Sequence, residues 1–207
     1  MNEALIKKAL RHLRKNDPVL KAVIARVGVL KIELQPDAFT RLARAIVGQQ
    51  ISRAAARSVW MKLEGLRPNG RGKLRPEHIV RATDAVIRSC GVSQNKLLSL
   101  RDLAAHLIDK RVNPQQFPRM DNEEIIAALI PIRGIGRWTA EMYLMFGLGR
   151  PDVLPVDDLG LQNAIMKAYR LKKRPDAKKI RTHAKKWAPY ETVASFYLWR
   201  SLDTDTK

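Results

Sequence analysis

Two short patterns carry residue types suited to chemistry. The first is Ile132-Arg133-Gly134-Ile135-Gly136-Arg137, a glycine-bracketed turn between two helical patterns. Glycine lets the backbone turn tightly, or approach a ligand with no Cβ in the way. A helix starting near Arg137 presents its unpaired N–H groups and positive dipole end at the same place. An anion is favoured there, and a DNA phosphate beside Arg133 and Arg137 is the obvious one. The second pattern is Asp157-Asp158 in VLPVDDLGLQ. Either aspartate can cap the helix that follows. A carboxylate near an anomeric carbon can also stabilise an oxocarbenium-like sugar and orient an attacking water. A phosphate seat and a sugar-directed acid together suggest chemistry on DNA.

The composition agrees with that partner. The 207 residues carry a formal net charge of +19, and the isoelectric point is near 10.5. Such an excess predicts binding to a polyanion, nucleic acid first, that weakens steeply as salt rises. Charge alone leaves a ribosome-like or membrane-surface binder open; with the two patterns above, double-stranded DNA is the expected partner. Cys90 is the only cysteine, so no disulfide framework, cysteine zinc cage or protein-held iron–sulfur cluster is possible. His12, His78, His106 and His183 are too scattered to pair as metal ligands. Basic residues interrupt any N-terminal apolar run, and no stretch reaches 18 apolar residues, so neither a leader nor a membrane span is expected. An intracellular monomer follows, cytoplasmic and nucleoid-associated if the source is bacterial.

The elements that must position these residues read as helices nearly throughout, which predicts an all-α fold. Leu5, Ala9 and Leu13 repeat on one face of residues 2–15. Asp17-Pro18 caps and opens the next helix, and Gly28 closes it. Phe39, Leu42, Ala43, Ile46 and Val47 share a face, and Ser52 can cap a helix carrying Ala55, Val59 and Leu63. Residues 64–76 read as an exposed basic loop, 76–90 as one helix ending at Gly91, and Ser93 as the cap of the next. In that next helix Leu97, Leu100, Ala104 and Leu107 form the buried stripe. Asp121 and Glu124 form a capping-box start. After the hairpin, Trp138, Met142, Met145 and Phe146 recur at helical spacing, which makes Trp138 core-facing. Asp157 can cap a helix bearing Leu161, Ile165 and Tyr169, and residues 190–201 read as a buried closing helix. Val27–Leu34 is a weak strand signal.

LIPIRGIGRWTAEM at 129–142 resembles the helix–hairpin–helix of the DNA glycosylase superfamily, whose members add a downstream aspartate. FTRLARAIVGQQIS at 39–52, GVSQNKLLSLRDLA at 91–104 and WAPYETVASFYLWRS at 187–201 resemble its 3-methyladenine DNA glycosylase II (AlkA-like) branch, in a compact form. The resemblance implies two helical lobes with an active-site cleft between them. Residues 37–150 would carry the hairpin, and 1–36 plus 151–207 would form the second lobe. It implies Asp158 as the catalytic carboxylate, with Asp157 left as the cap. Bifunctional relatives keep a lysine nucleophile where this chain has Trp138, so a water-using, monofunctional enzyme is expected.

The expected substrate is DNA bearing alkylated purines of the 3-methyladenine type, with the damaged base flipped out of the stack. Trp138, then Tyr190, would wall its pocket and stack on a purine cation. Met142 stands where some relatives carry a pocket tyrosine, and Glu191 where an arginine is frequent. Arg133, Gly134, Gly136 and Arg137 would hold the backbone, and Gln50 is either a wedge or an ordinary helix-end residue. The basic run Lys172–Lys186 is either a second DNA contact or a solvated helix face. No cofactor is expected beyond a structural Na⁺ or K⁺ on the carbonyls of Ile130, Ile132 and Ile135. The other readings are a non-catalytic helix–hairpin–helix DNA-binding protein and a glycosylase for other damaged bases.

Overall fold

Side-chain caps open most of the helices and decide where each begins. The computed structural model describes residues 1–68 and 71–204. Among these are twelve α-helices and no strand: α1 Glu3–Asn16, α2 Pro18–Val27, α3 Ala38–Gly48, α4 Arg53–Glu64, α5 Pro76–Arg81, α6 Asp84–Ser89, α7 Gln94–Ile108, α8 Asn122–Leu129, α9 Arg137–Tyr143, α10 Leu159–Ala168, α11 Ala177–Ala184 and α12 Glu191–Thr204. A single π turn, Leu144–Leu148, follows α9. The Asp17 carboxylate accepts the Val19 and Leu20 N–H groups, with Pro18 at the first helical position. Ser52 caps α4 through the Ala55 N–H. Asp121 and Glu124 exchange both bonds of a capping box.

Several sequence expectations are corrected. Residues 28–34 are irregular rather than a strand. Residues 76–90 form two helices, because Ala82 is extended and Thr83 caps α6. Arg101, from α7, donates to the carbonyls of Ile79, Val80 and Ala82, which satisfies the end of α5 from outside its own sequence. The buried face of α4 is Trp60 and Leu63, while Ala55 is exposed. In α7, Leu103 is fully buried and Leu107 only half-buried. Asn69 and Gly70 of the basic loop lie outside the described residues.

The described chain forms two compact units, residues 35–143 and residues 1–34 with 144–207. The first packs α3 against α7 and α9, and α5 against α7. Its core includes Leu42, Ile46, Leu97, Leu100, Ile125 and Leu129. The second unit joins both ends of the chain. Its core places Leu13, Leu20 and Ile24 against Leu161, Ile165, Trp187, Val193, Tyr197 and Leu198, with α12 buried on most faces.

A carboxylate fastens this second unit. Asp17 is 0% exposed. It accepts from the Tyr169 hydroxyl, from Trp187 Nε1 at 2.8 Å and from Lys186 Nζ at 3.1 Å. Burial pushes its pKa up, but the bonds from Tyr169, Trp187, Leu20 and Lys186 outweigh that and hold it below the usual carboxylate value. Replacing Asp17 by alanine strands these donors, so a loss of about 3 kcal/mol or more is expected from urea unfolding. Because the folded pKa is depressed, this stability is present above the unfolded pKa of about 4 and is lost as pH falls through the folded value. Wild type should therefore lose stability below about pH 4 more steeply than Asp17→Asn.

Candidate active site and nucleic-acid interface

In the 35–143 unit, the hairpin between α8 and α9 is braced from three sides. Gly134 has φ +78°, and a Cβ there would stand 2.7 Å from Ser99 Oγ and 3.1 Å from Ser99 Cβ. Glycine is required at this position by both backbone and space. The Arg133 N–H donates to Asp102 Oδ2 at 2.7 Å, and the Gly134 carbonyl accepts from Gln49 Nε2 at 2.8 Å. Lys96 Nζ in turn donates to the carbonyls of Val47 and Gln49, each at 2.8 Å. Gln49, Lys96 and Asp102 are thus positioning residues that the sequence did not single out. Their signal is a contact across the fold, between residues 31 and 85 positions apart in the hairpin pairs.

Gly136 differs: a Cβ there meets nothing within 4 Å. The turn itself does not need this glycine for space. Arg133 Nη2 lies 3.4 Å from Asn95 Oδ1. Arg137, expected as a DNA contact, is ion-paired within the unit. Its guanidinium is taken up by Glu123 and Glu141, which raise its pKa, Glu123 most. Two carboxylates meet one cation there, so Arg137 brings no surplus positive charge to a phosphate.

The expected cation site has donors of the right kind. Ile130, Ile132 and Ile135 offer neutral carbonyls, suited to a monovalent ion, and the Ile132 carbonyl already accepts the Ile135 N–H at 3.0 Å. No group of three or more His, Cys, Asp or Glu residues able to hold a metal occurs among the described residues.

Beside the hairpin, a cavity of about 790 Å³ lies between faces of α3 and α9. This is within the range of small-molecule sites, roughly 300–1,000 Å³. Trp138, Met142 and Gln50 line it together with Arg41, Arg44 and Arg53. Trp138 is 45% exposed, not packed in the core as its spacing suggested, whereas Met142 is buried. Gln50 is exposed in a left-handed conformation, φ 57°. The three arginines alter the expected electrostatics. A cation stacked on an indole gains about 0.5–2 kcal/mol. Two like charges roughly 6 Å apart repel by about 3 kcal/mol at an effective dielectric of about 20. The cavity is therefore aromatic on one wall without being cation-selective.

In the other unit, Asp158 rather than Asp157 is the N-cap of α10. Its Oδ1 accepts the Leu161 N–H at 2.6 Å and also Trp199 Nε1 at 2.8 Å. The Asp158 N–H bonds back to Pro155 O at 3.1 Å, which leaves Asp157 exposed on the preceding turn. Trp199 is fixed by near-parallel stacking on Phe146, with ring centroids 6.0 Å apart. It is half-buried and does more than fill the core, a role that its helical spacing did not reveal. Gly160 makes room for the pair, since a Cβ there would lie 3.0 Å from Asp158 Oδ1 and 3.3 Å from the indole.

Tyr190, expected as a second pocket wall, packs inside its unit. It is 6% exposed in the core of its unit, edge-on to His12 at 5.2 Å. Trp60 and Trp187 are buried. Glu191 is partly buried at the start of α12. Burial raises its pKa, and its Oε2 is buried without a hydrogen-bond partner among the described residues. On Lys172–Lys186, Lys172, Lys173, Arg174, Lys178, Lys179, Arg181 and Lys185 are exposed.

The model of the HhH-GPD superfamily base excision DNA repair proteins matches residues 43–189. The chain belongs to this superfamily. It is 34% identical over 198 residues to DNA-3-methyladenine glycosylase 1 of Schizosaccharomyces pombe, covering 94% of this chain and 86% of that relative. A solved structure of an S. pombe 3-methyladenine DNA glycosylase in complex with abasic DNA is similar at a TM-score of 0.82 and 34% identity, over 93% of this chain and 95% of that one. A DNA-3-methyladenine glycosidase from Bacillus halodurans gives a TM-score of 0.84 and 36% identity, over 96% and 89%. The HhH-GPD match spans the braced hairpin, Asp158 and the cavity lining other than Arg41.

The two hairpin glycines should separate in folding assays. Gly134→Ala is expected to cost about 2 kcal/mol, from the left-handed backbone and the displaced Ser99. Gly136→Ala should stay within about 0.5 kcal/mol of wild type in the same urea titration.

Proposed function

We propose that this HhH-GPD protein is a monofunctional DNA glycosylase that removes alkylated purines of the 3-methyladenine type from duplex DNA. The observation that carries the reading is Asp158. A half-buried carboxylate is locked by a helix cap and an indole N–H, in a family whose named relatives are 3-methyladenine glycosylases. The hairpin grips a phosphate through the first N–H groups of α9, with Gly136 allowing close approach and Arg133 adding charge. The damaged base leaves the stack, which costs a few kcal/mol, least for a weakened pair. It enters the cavity beside Trp138 and Met142, with Gln50 at the rim to fill the gap in the duplex.

The chemistry is a hydrolysis. The C1′–N bond breaks with its electron pair leaving on the base, and the sugar becomes oxocarbenium-like. The Asp158 carboxylate stabilises that charge and takes a proton from the water whose oxygen bonds to C1′. The products are the free base and an abasic site. Trp138 stands at the lysine position of the strand-nicking relatives, so no Schiff base forms and the strand stays intact.

Ile130, Ile132 and Ile135 would hold a Na⁺ or K⁺ that stiffens the hairpin, and no step depends on it. The exposed lysines and arginines of 172–186 track the DNA backbone. No helix of the described residues is long and apolar enough to cross a membrane. The protein acts where the cell keeps its DNA, as a monomer, cytoplasmic and nucleoid-associated if the source is bacterial.

Asp158→Asn keeps an Oδ1 acceptor for both Leu161 and Trp199, and asparagine is a good cap, so it removes the charge and spares the fold. Base release from methylated duplex should fall by about a thousandfold or more, with little change in affinity for abasic DNA. Near-normal turnover would remove Asp158 from the mechanism, and binding without release by the wild type would favour a non-catalytic DNA-binding protein. Borohydride added during turnover should yield no covalent protein–DNA adduct, read on a denaturing gel. Gly136→Ala should weaken abasic-DNA binding although it folds normally.

A further inference from the structure

The cavity beside Trp138 has an unusual charge for a site that receives alkylated bases. Arg41, Arg44 and Arg53 line it, and no acidic residue does. The first two lie three residues apart on one face of α3, opposite Trp138 and Met142 of α9. Arg44 is drawn toward α4, with its guanidinium 4.9 Å from the Trp60 ring centroid and 3.9 Å from Glu64. Arg41 is half-buried, and burial together with Arg44 pulls its pKa below the usual arginine value. It still remains charged at neutral pH, as arginine does in proteins.

We infer that Arg41 is a specificity-determining residue of this cavity, whose charge favours release of neutral modified purines and disfavours ring-alkylated purine cations. The inference rests on the glycosylase reading above. A purine cation entering the cavity meets a like charge, and it departs neutral once the glycosidic electron pair moves onto it. It gains nothing from a guanidinium at that moment. A neutral purine enters without repulsion and offers ring nitrogens as acceptors to a group that carries only donors. When its C1′–N9 bond breaks, the pair leaves on the base as an anion spread over those nitrogens. Arg41 stabilises this charge as it develops. Water supplies oxygen to C1′, and the proton it releases ends on the departed base. One side chain thus acts in opposite directions on two lesion classes.

The test uses the full chain and two matched duplexes under single-turnover conditions, one with neutral 1,N⁶-ethenoadenine and one with cationic 7-methylguanine. Arg41→Gln should slow ethenoadenine release and speed 7-methylguanine release, moving the ratio of the two rates by about tenfold or more. Arg41→Lys, which keeps the charge, should hold most of the wild-type ratio. The ratio is read on one preparation, so it does not depend on the folded fraction. A ratio within about twofold of wild type for Arg41→Gln overturns the inference and makes Arg41 a phosphate or packing contact. So does a lysine variant that shifts the ratio as far as glutamine. Wild-type release of neither base overturns the glycosylase reading, and the inference with it.

Discussion

The unit that carries Asp158 depends on the buried Asp17 carboxylate. One side chain caps α2, accepts from Tyr169 and Trp187, and pairs with Lys186. These partners lie more than 150 residues further along the chain. An unpaired carboxylate in such a place would cost several kcal/mol, so its tolerance depends on all of these donors being present together. The consequence is geometric. Trp187 leads into α12, α12 carries Trp199, and Trp199 holds Asp158. A constraint set at residue 17 therefore reaches the proposed catalytic acid through covalent chain and one hydrogen bond. This long-range closure also draws α1, α2 and α12 into one core.

The hairpin is fixed by a different device. Its own residues supply the tight turn, but its orientation comes from Asp102, Gln49 and Lys96, which bond backbone groups rather than side chains. Backbone-directed bonds leave the side chains of the turn available for a ligand. Charge is handled the same way. Arg137 is neutralised locally by Glu123 and Glu141, so the phosphate seat proposed here rests on N–H groups and Arg133. A helix N-terminus contributes about half an elementary charge. That is enough to orient a phosphate in a protein whose +19 already draws DNA to the surface.

What the sequence made legible was whatever a few neighbouring residues decide. Asp17-Pro18, Ser52 and the Asp121–Glu124 box each start a helix by local bonding, and all three are found where expected. The split of residues 76–90 was hidden because the residue that ends α5, Arg101, arrives from α7. Asp157 and Asp158 are equally good caps by type. The turn closed by the Asp158 N–H on Pro155 selects the second, and adjacent carboxylates offer no local signal of that choice. Helical spacing alone made Trp138 core-facing, yet it is half-exposed on the cavity whose wall it was expected to form; Tyr190, the second expected wall, is buried against His12. Burial of an aromatic is set by the partner face, which spacing within one helix does not contain.

Binding DNA and cleaving a glycosidic bond place opposite demands on charge. A strongly basic protein attracts the duplex, yet the sugar it must ionise becomes a cation, which positive charge opposes. Distance separates the two demands. Beyond a Debye length of about 8 Å in physiological salt, exposed charges are largely screened, so the net charge governs encounter rather than the reacting bond. Within a few ångströms the local set decides, where one carboxylate about 4 Å from a sugar cation contributes about 4 kcal/mol at an effective dielectric of about 20. That advantage requires the carboxylate to be held still. The Leu161 N–H and the Trp199 indole both donate to Asp158 and converge on one oxygen, which fixes its orientation. The cap that looked like a competing, purely structural role for Asp158 is therefore part of what prepares it for chemistry.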